Sequence, residues 1–308
     1  MKSETFLRAK DYDLAATLES GQVFRWRETN GSWMGIVGKY PVRLTQASDG
    51  IRAEAGMAVD NWDWLKEFLQ TDVDLEKILK TFPADEPMNH AVTACRGLRV
   101  LRQEPWECLA SFILSATKQI VQIRQIVSQL CECFGERVGS EGDWHYAFPS
   151  AEKIAGLTET DLRGCKMGFR APNLLATARQ VAEGKLDLPG LRHLPYDEAR
   201  GKLMTLRGVG GKIADCVLLF AYGFDSAFPV DVWVERALRT LYFPHRRVSE
   251  KRLRHFAATH FGPHGGYAQQ YLFHYMRTKM DKPRKTRPAR KPRQPPTGAA
   301  GVKKTAQN

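Results

Sequence analysis

The stretch PYDEARGKLMTLRGVGGKIADCVLLFAYGFDSAFPVDVWVERALRTL, Pro195 to Leu241, constrains the fold more than any other part of the chain. Pro195 suits a first helical turn, and Gly208, Gly210 and Gly211 break the helical pattern after Leu206. A second helix starts near Lys212, with Ile213, Cys216, Val217 and Phe220 on one apolar face, and Tyr222-Gly223 stops it. After Pro229, Asp231 stands where a helix N-cap belongs, and Val232 to Leu241 read as a third helix. Glycines in such a hairpin take backbone angles other residues avoid and gather N–H groups on one concave surface. With a helix N-terminus behind it, that surface suits a phosphate, met without regard to base sequence.

Lys212 and Asp231 lie 19 positions apart across this unit. A lysine at a helix start feels the positive end of the helix dipole, and partial burial also disfavours its charged form. Both effects make a nucleophilic amine more accessible. Such an amine forms Schiff bases with carbonyl-level carbons, of which the C1′ of a nucleotide is one. A carboxylate nearby stabilises positive charge developing on the sugar and helps move protons. Taken alone, Lys212 reads first as a phosphate-contacting cation and Asp231 as a plain N-cap.

LRGVGGKIADC followed by FPVDV resembles the helix–hairpin–helix, Gly/Pro-Asp superfamily of DNA glycosylases: hairpin, lysine, aspartate and spacing match together. The resemblance implies Lys212 as Schiff-base nucleophile, Asp231 as catalytic carboxylate, and Gly208, Gly210 and Gly211 as the DNA-binding hairpin. It departs at Arg207, where the family usually has proline. No four-cysteine cluster follows Leu241, which argues against the iron–sulfur branch. The six cysteines are scattered through helical sequence and read as reduced structural thiols, and the histidines show no zinc spacing. Neither metal nor organic cofactor is expected.

Residues 1 to about 57 look β-rich. Val23–Trp26, Ser32–Val37, Tyr40–Thr45 and Ile51–Ala55 carry strand residues between Asn30-Gly31, Gly38 and Asp49-Gly50 turn signals. Asn61–Leu69 and Leu75–Phe82 read as helices. Within the first segment, SGQVFRW reads from pattern alone as an edge strand with Phe24 and Trp26 in the core. Beside the hairpin motif, however, it resembles the N-terminal domain of the 8-oxoguanine DNA glycosylase family. The resemblance implies that the Gly21 carbonyl accepts a hydrogen bond from N7–H of the oxidised base. Guanine has no hydrogen there, and a polar site rejects a ligand that lacks its partner.

From Leu98 onward the sequence reads as helical, and the resemblance continues through LRVLRQEPWECLASFILSATKQIVQIRQIVSQLCECFG and GCKMGFRAPNLLATARQVA. It implies that Thr117 faces DNA, at a place where many relatives carry asparagine, and that Phe169 and Arg170 are exposed there. Phe169 would wedge into the duplex where the extruded base leaves space. Gln269 and Phe273 lie four apart on one helical face. By resemblance Gln269 reads the Watson–Crick edge of the flipped base, while Phe273 and Cys216 sandwich its faces. Trp233 stands where relatives often have histidine.

The net charge of the 308 residues is +12, but nine Lys/Arg against one Asp lie in 281–308, so the body carries only +4. The tail, rich in proline and cation, reads as a disordered segment that adds salt-sensitive affinity for nucleic acid, serves as a nuclear address in a eukaryote, or is merely solvated. No apolar run is long enough to cross a membrane and the first residues lack a signal-peptide core. The expected fold is α+β: a small antiparallel-sheet N-terminal domain (1–84) packed on a mostly α-helical helix–hairpin–helix body (85–280), then the tail (281–308). The expected activity is excision of 8-oxoguanine from duplex DNA through a lysine imine, with strand nicking by β-elimination. Alternatives are a relative acting on another damaged base or on abasic sites, and a non-catalytic DNA-binding module. A monomer with no obligatory protein partner and no membrane is expected, nucleoid-associated in a bacterium or nuclear in a eukaryote.

Overall fold

The computed structural model describes residues 3–140 and 143–280. The basic tail therefore lies outside the described residues. The chain begins with β1 (Ser3–Arg8) and α1 (Leu14–Glu19), then β2 (Arg27–Thr29), β3 (Ser32–Val37), β4 (Tyr40–Ala47) and β5 (Gly50–Ala55). These strands form one antiparallel sheet in the order β1-β5-β4-β3-β2. Alternation sets its buried face, with Val42 and Leu44 on β4 beside Ile51 and Ala53 on β5, all out of solvent. Helices α2 (Asp63–Leu69) and α3 (Leu75–Leu79) follow. Leu65, Phe68 and Leu69 close the sheet core over Trp26, which is stacked on Phe68 at 5.9 Å.

The rest is mostly helical: α4 (Glu86–Cys95), α5 (Pro105–Ser115), α6 (Ile120–Phe134), a hairpin of β6 (Arg137–Ser140) and β7 (Asp143–Tyr146), α7 (Ala151–Ala155), α8 (Glu159–Gly164), α9 (Ala171–Ala182), α10 (Tyr196–Met204), α11 (Gly211–Val217), α12 (Val232–Leu241), α13 (Glu250–His260) and α14 (Gly265–Tyr275). Eight of the fourteen α-helices start at a residue whose side chain accepts a first-turn N–H: Asp13, Asp74, Asp85, Glu104, Ser150, Thr158, Asp231 and Ser249 do so. Two helices are buried nearly all round. On α5 every residue from Cys108 to Ser115 is buried, and on α14 every residue from Gly265 to His274. Among the described residues no helix is long and apolar enough to cross a membrane.

Several expectations need correction. Val23–Trp26 is an irregular segment and not a strand, because Phe24 and Trp26 are drawn into two different cores. The region after Leu98 is interrupted by the β6–β7 hairpin, and α1, β1 and α13 are additional elements. Helix α2 begins two residues later than expected, with Trp62 at its cap, and α3 ends at Leu79. The sheet and helical parts also exchange residues: Ala16 and Phe24 join the helical core, and Leu101 joins the sheet core.

Candidate active site

Helices α10 and α11 with the hairpin between them form one clamped unit. The carboxylate of Asp215, buried on α11, accepts from Arg200 Nε at 2.7 Å and from Tyr196 OH at 2.7 Å, both on α10. At Gly208 the backbone has φ +80°, and a Cβ would lie 2.3 Å from Asn173 Nδ2, so only glycine fits without strain. A Cβ on Gly211 would meet Arg200 NH2 at 2.3 Å, whereas Gly210, the N-cap of α11, faces open space. Lys212 is the second residue of α11, and its Nζ lies 5.2 Å from the Phe112 ring centroid.

The structure brings six sequence-predicted residues to one pocket. Lys212 and Cys216 come from α11, Asp231 from the cap of α12, Gln269 and Phe273 from α14, and Gly21 from the loop after α1. The pocket is a small, partly open cleft, with about 310 Å³ between its walls when the solvent at its mouth is included. Phe112 and Phe220, stacked at 5.5 Å, supply further wall. Sequence reading missed these two because an aromatic in a buried helix looks like ordinary core. It also missed Ser20, Pro229 and Gln270 on the same wall.

The polar groups of this pocket differ in how they are satisfied. Asp231 Oδ1 accepts from Trp233 N at 3.0 Å and Val234 N at 2.8 Å, so one carboxylate oxygen starts α12. Burial raises the Asp231 carboxyl above the ordinary carboxylate value, opposed by those two amides and by the Lys212 charge. Burial pushes the Cys216 thiol up to about 12, so it is neutral at physiological pH despite the adjacent lysine. Gln269 is 4% exposed, and its Oε1 has no hydrogen-bond partner among the described residues. A buried orphan acceptor lining a pocket awaits a donor from a ligand.

The loop carrying Gly21 is fixed by buried amides. Gln22 Nε2 donates to Arg99 O at 2.8 Å and Thr17 O at 3.0 Å, and Gln22 Oε1 accepts from Leu101 N at 2.8 Å. The carbonyls flanking Gly21 are both taken: Ser20 O by Gln270 Nε2 and Gln22 O by Gln103 Nε2, each at 2.8 Å. Gly21 itself has φ +79°, and a Cβ there would lie 2.9 Å from Ile120 Cδ1 and 3.2 Å from Phe273 Cε1. Backbone angle and close approach both demand glycine. Gln22 and Gln270 carried no sequence signal for this role, since their partners lie as far as 250 residues away.

Two further loops carry the remaining predicted residues. Phe169, between α8 and α9, is 58% exposed, as expected of a wedge. Arg170 corrects its expectation: it is 3% exposed and does not lie open. Its Nε donates to Ala116 O at 2.7 Å, its NH2 to Thr117 Oγ1 at 2.6 Å and also to Ala116 O, and its NH1 to Met167 O at 3.2 Å. Its guanidinium lies 4.2 Å from the Phe169 ring centroid. Arg170 thus ties the α5–α6 loop to the α8–α9 loop, and Thr117 is held at φ +56°. That angle is uncommon for a β-branched residue and easier for asparagine. Trp233 is half-buried against the helical core, with Arg236 over its ring at 5.7 Å.

Comparison with known proteins covers nearly the whole described chain. Residues 5–109 match the family described as 8-oxoguanine DNA glycosylase, N-terminal domain. Residues 110–261 match the HhH-GPD superfamily base excision DNA repair protein. A Methanothermobacter thermautotrophicus protein named "Probable N-glycosylase/DNA lyase" is 30% identical, over 87% of this chain and 94% of its own. The Saccharomyces cerevisiae N-glycosylase/DNA lyase is 32% identical, over 74% of this chain and 68% of its own. Among solved structures, the Clostridium acetobutylicum 8-oxoguanine glycosylase/lyase in complex with duplex DNA containing cytosine opposite 8-oxoG superposes with TM-score 0.82. It is 33% identical, covering 89% of this chain and 97% of that one.

Proposed function

Because the chain belongs to the 8-oxoguanine DNA glycosylase/lyase family of the helix–hairpin–helix superfamily, we propose that its Lys212 pocket excises 8-oxoguanine from duplex DNA and then nicks the strand. The observation that carries this is the convergence of Lys212, Asp231, Gly21 and the unpartnered Gln269 Oε1 on one pocket. The base is everted into it, since its glycosidic carbon is out of reach inside a duplex. Its N7–H donates to the Gly21 carbonyl and its Watson–Crick edge donates to Gln269 Oε1. Guanine offers no N7–H and would leave a buried acceptor bare, which costs about 1–3 kcal/mol.

The lone pair of Lys212 Nζ attacks C1′. The bond from C1′ to N9 breaks and the base leaves with its electron pair, taking up a proton. The Asp231 carboxylate stabilises the positive charge that develops on the sugar. Loss of the amine protons and opening of the sugar ring give the imine, which acidifies the C2′ protons. Removal of one C2′ proton expels the 3′ oxygen with its phosphate, the β-elimination that cuts the strand. Neither metal nor organic cofactor takes part. Phe169 fills the space left in the duplex, while Gly208, Gly210, Gly211 and the Thr117 loop, held by Arg170, meet the backbone. The protein acts on DNA as a monomer without an obligatory partner, in the nucleoid of a bacterium or the nucleus of a eukaryote. The division into units at 1–84 and 85–280 belongs to the same proposal.

Borohydride trapping tests the reading. Duplexes carrying 8-oxoguanine opposite each base, an abasic site or undamaged guanine are incubated with the full chain and with Lys212→Gln. A covalent adduct on 8-oxoguanine duplexes, lost in the variant, is expected. Adduct on abasic DNA alone would reassign the protein to abasic sites, and no adduct with binding intact would overturn the imine mechanism.

A further inference from the structure

Two side chains cover Gly21 at the pocket: Ile120 on α6 and Phe273 on α14. Each is followed four residues later, one helical turn on, by an arginine, Arg124 and Arg277. The Arg277 guanidinium lies 5.5 Å from the Phe273 ring centroid and donates to the carbonyl of Glu19, just before the Gly21 loop. Arg124 Nε is buried with no hydrogen-bond partner among the described residues. Neither arginine forms an ion pair among those residues. Burial lowers the proton affinity of Arg277, and the charge of Arg124 lowers it further, against the opposing pull of Glu19 and Asp231.

Two half-buried guanidiniums, each one turn beyond a side chain that meets the other over Gly21, raise the free energy of the empty protein. A single anion placed between them would remove that cost, and two arginine forks match the oxygens of a phosphate. The Phe273 ring under Arg277 is also a wall of the pocket, so the anion must sit close to the base when the base is inside. We infer that Arg124 and Arg277 form a clamp for one backbone phosphate of the everted nucleotide. This rests on the pocket being the base site. The clamp carries no sequence information; it favours the everted state over the stacked one, because only eversion brings that phosphate to the pocket mouth.

The test compares Arg124→Gln, Arg277→Gln and the double variant, in the Lys212→Gln background so that DNA stays whole. Lys153→Gln on α7 is the control. Affinities for an 8-oxoguanine duplex and for an undamaged duplex are measured across a salt series. The double variant should bind the lesion duplex about tenfold or more weakly. It should also lose about one unit of the slope of log K against log salt, with undamaged-duplex affinity changed less than twofold. A methylphosphonate replacing each phosphate around the lesion in turn should weaken the parent at one position and the double variant at none. A thermal midpoint equal to or above the parent's is expected after removal of Arg124. Unchanged slope and unchanged methylphosphonate profile, with lesion preference intact in the parent, would overturn the clamp alone. Equal loss on lesion and undamaged duplexes would also overturn it. A parent without lesion preference would overturn the base-site reading beneath it.

Discussion

Asp231 has two demands placed on one carboxylate. Through Oδ1 it starts α12, and in the proposed mechanism its charge faces the sugar. Burial raises its carboxyl above the ordinary value. The sign follows: a group whose folded proton affinity exceeds its unfolded one adds stability at low pH, and that stability is lost as pH rises through the folded value. At neutral pH the ionised group therefore opposes folding. Asparagine keeps the cap oxygen and discards the charge. We expect Asp231→Asn to raise the thermal midpoint at pH 7 by about 2–4 °C, a gain that vanishes below roughly pH 4. Base release, followed in single turnover, should fall at least about a hundredfold. A lower midpoint at pH 7 would show that the charge is structural. Lys212 and Asp231 sit in one local unit whose turn glycines and N-cap are written within about a score of positions, so their meeting at one pocket was legible. Gln22 and Gln270 were not, because their meaning lies entirely in distant carbonyls.

At the scale of elements, the α5–α6 and α8–α9 loops are held together by one guanidinium. Arg170 reached its place against expectation because Ala116, its main acceptor, is 54 residues away; a polar residue in a loop looks exposed until that partner is folded against it. Val23–Trp26 failed as a strand for a related reason. Its residues have strand character, but Phe24 packs at 5.7 Å edge-on to Phe112 while Trp26 goes to the sheet. The two neighbouring loop residues should separate on mutation. Arg170→Ala leaves Ala116 O and Met167 O without their donor, and is expected to cost about 1–3 kcal/mol in urea denaturation and to slow excision. Phe169→Ala removes an exposed ring; it should leave stability within about 0.5 kcal/mol while weakening binding to the lesion duplex. If both variants lost stability equally, Phe169 would be part of the fold and not a wedge.

For the whole molecule, the seam between sheet and helices is also the place where the pocket gets its Gly21 wall. Gln22 is fully buried, and its amide joins α1 to the segment before α5 through Thr17, Arg99 and Leu101. Gln22→Leu keeps the volume and strips the donors and acceptors. We expect about 2–4 kcal/mol of stability lost, with discrimination between 8-oxoguanine and guanine eroding in step. Retained discrimination in a destabilised variant would detach the Gly21 loop from base reading. The overall α+β plan was legible from turn signals and helix periodicity, whereas β1 was not, since its pairing partner β5 lies more than forty residues downstream.

A main-chain carbonyl is the one reading group that no codon change can delete. If Gly21 reads the base, mutation can silence it only by moving it: through a side chain at a φ of +79°, or through loss of the amides that pin its neighbours. Defects in recognition would then present as defects in folding, scattered over Thr17, Gln22, Arg99 and Gln103, none of which lines the pocket. A survey that screened only for residues touching DNA would pass over every one of them.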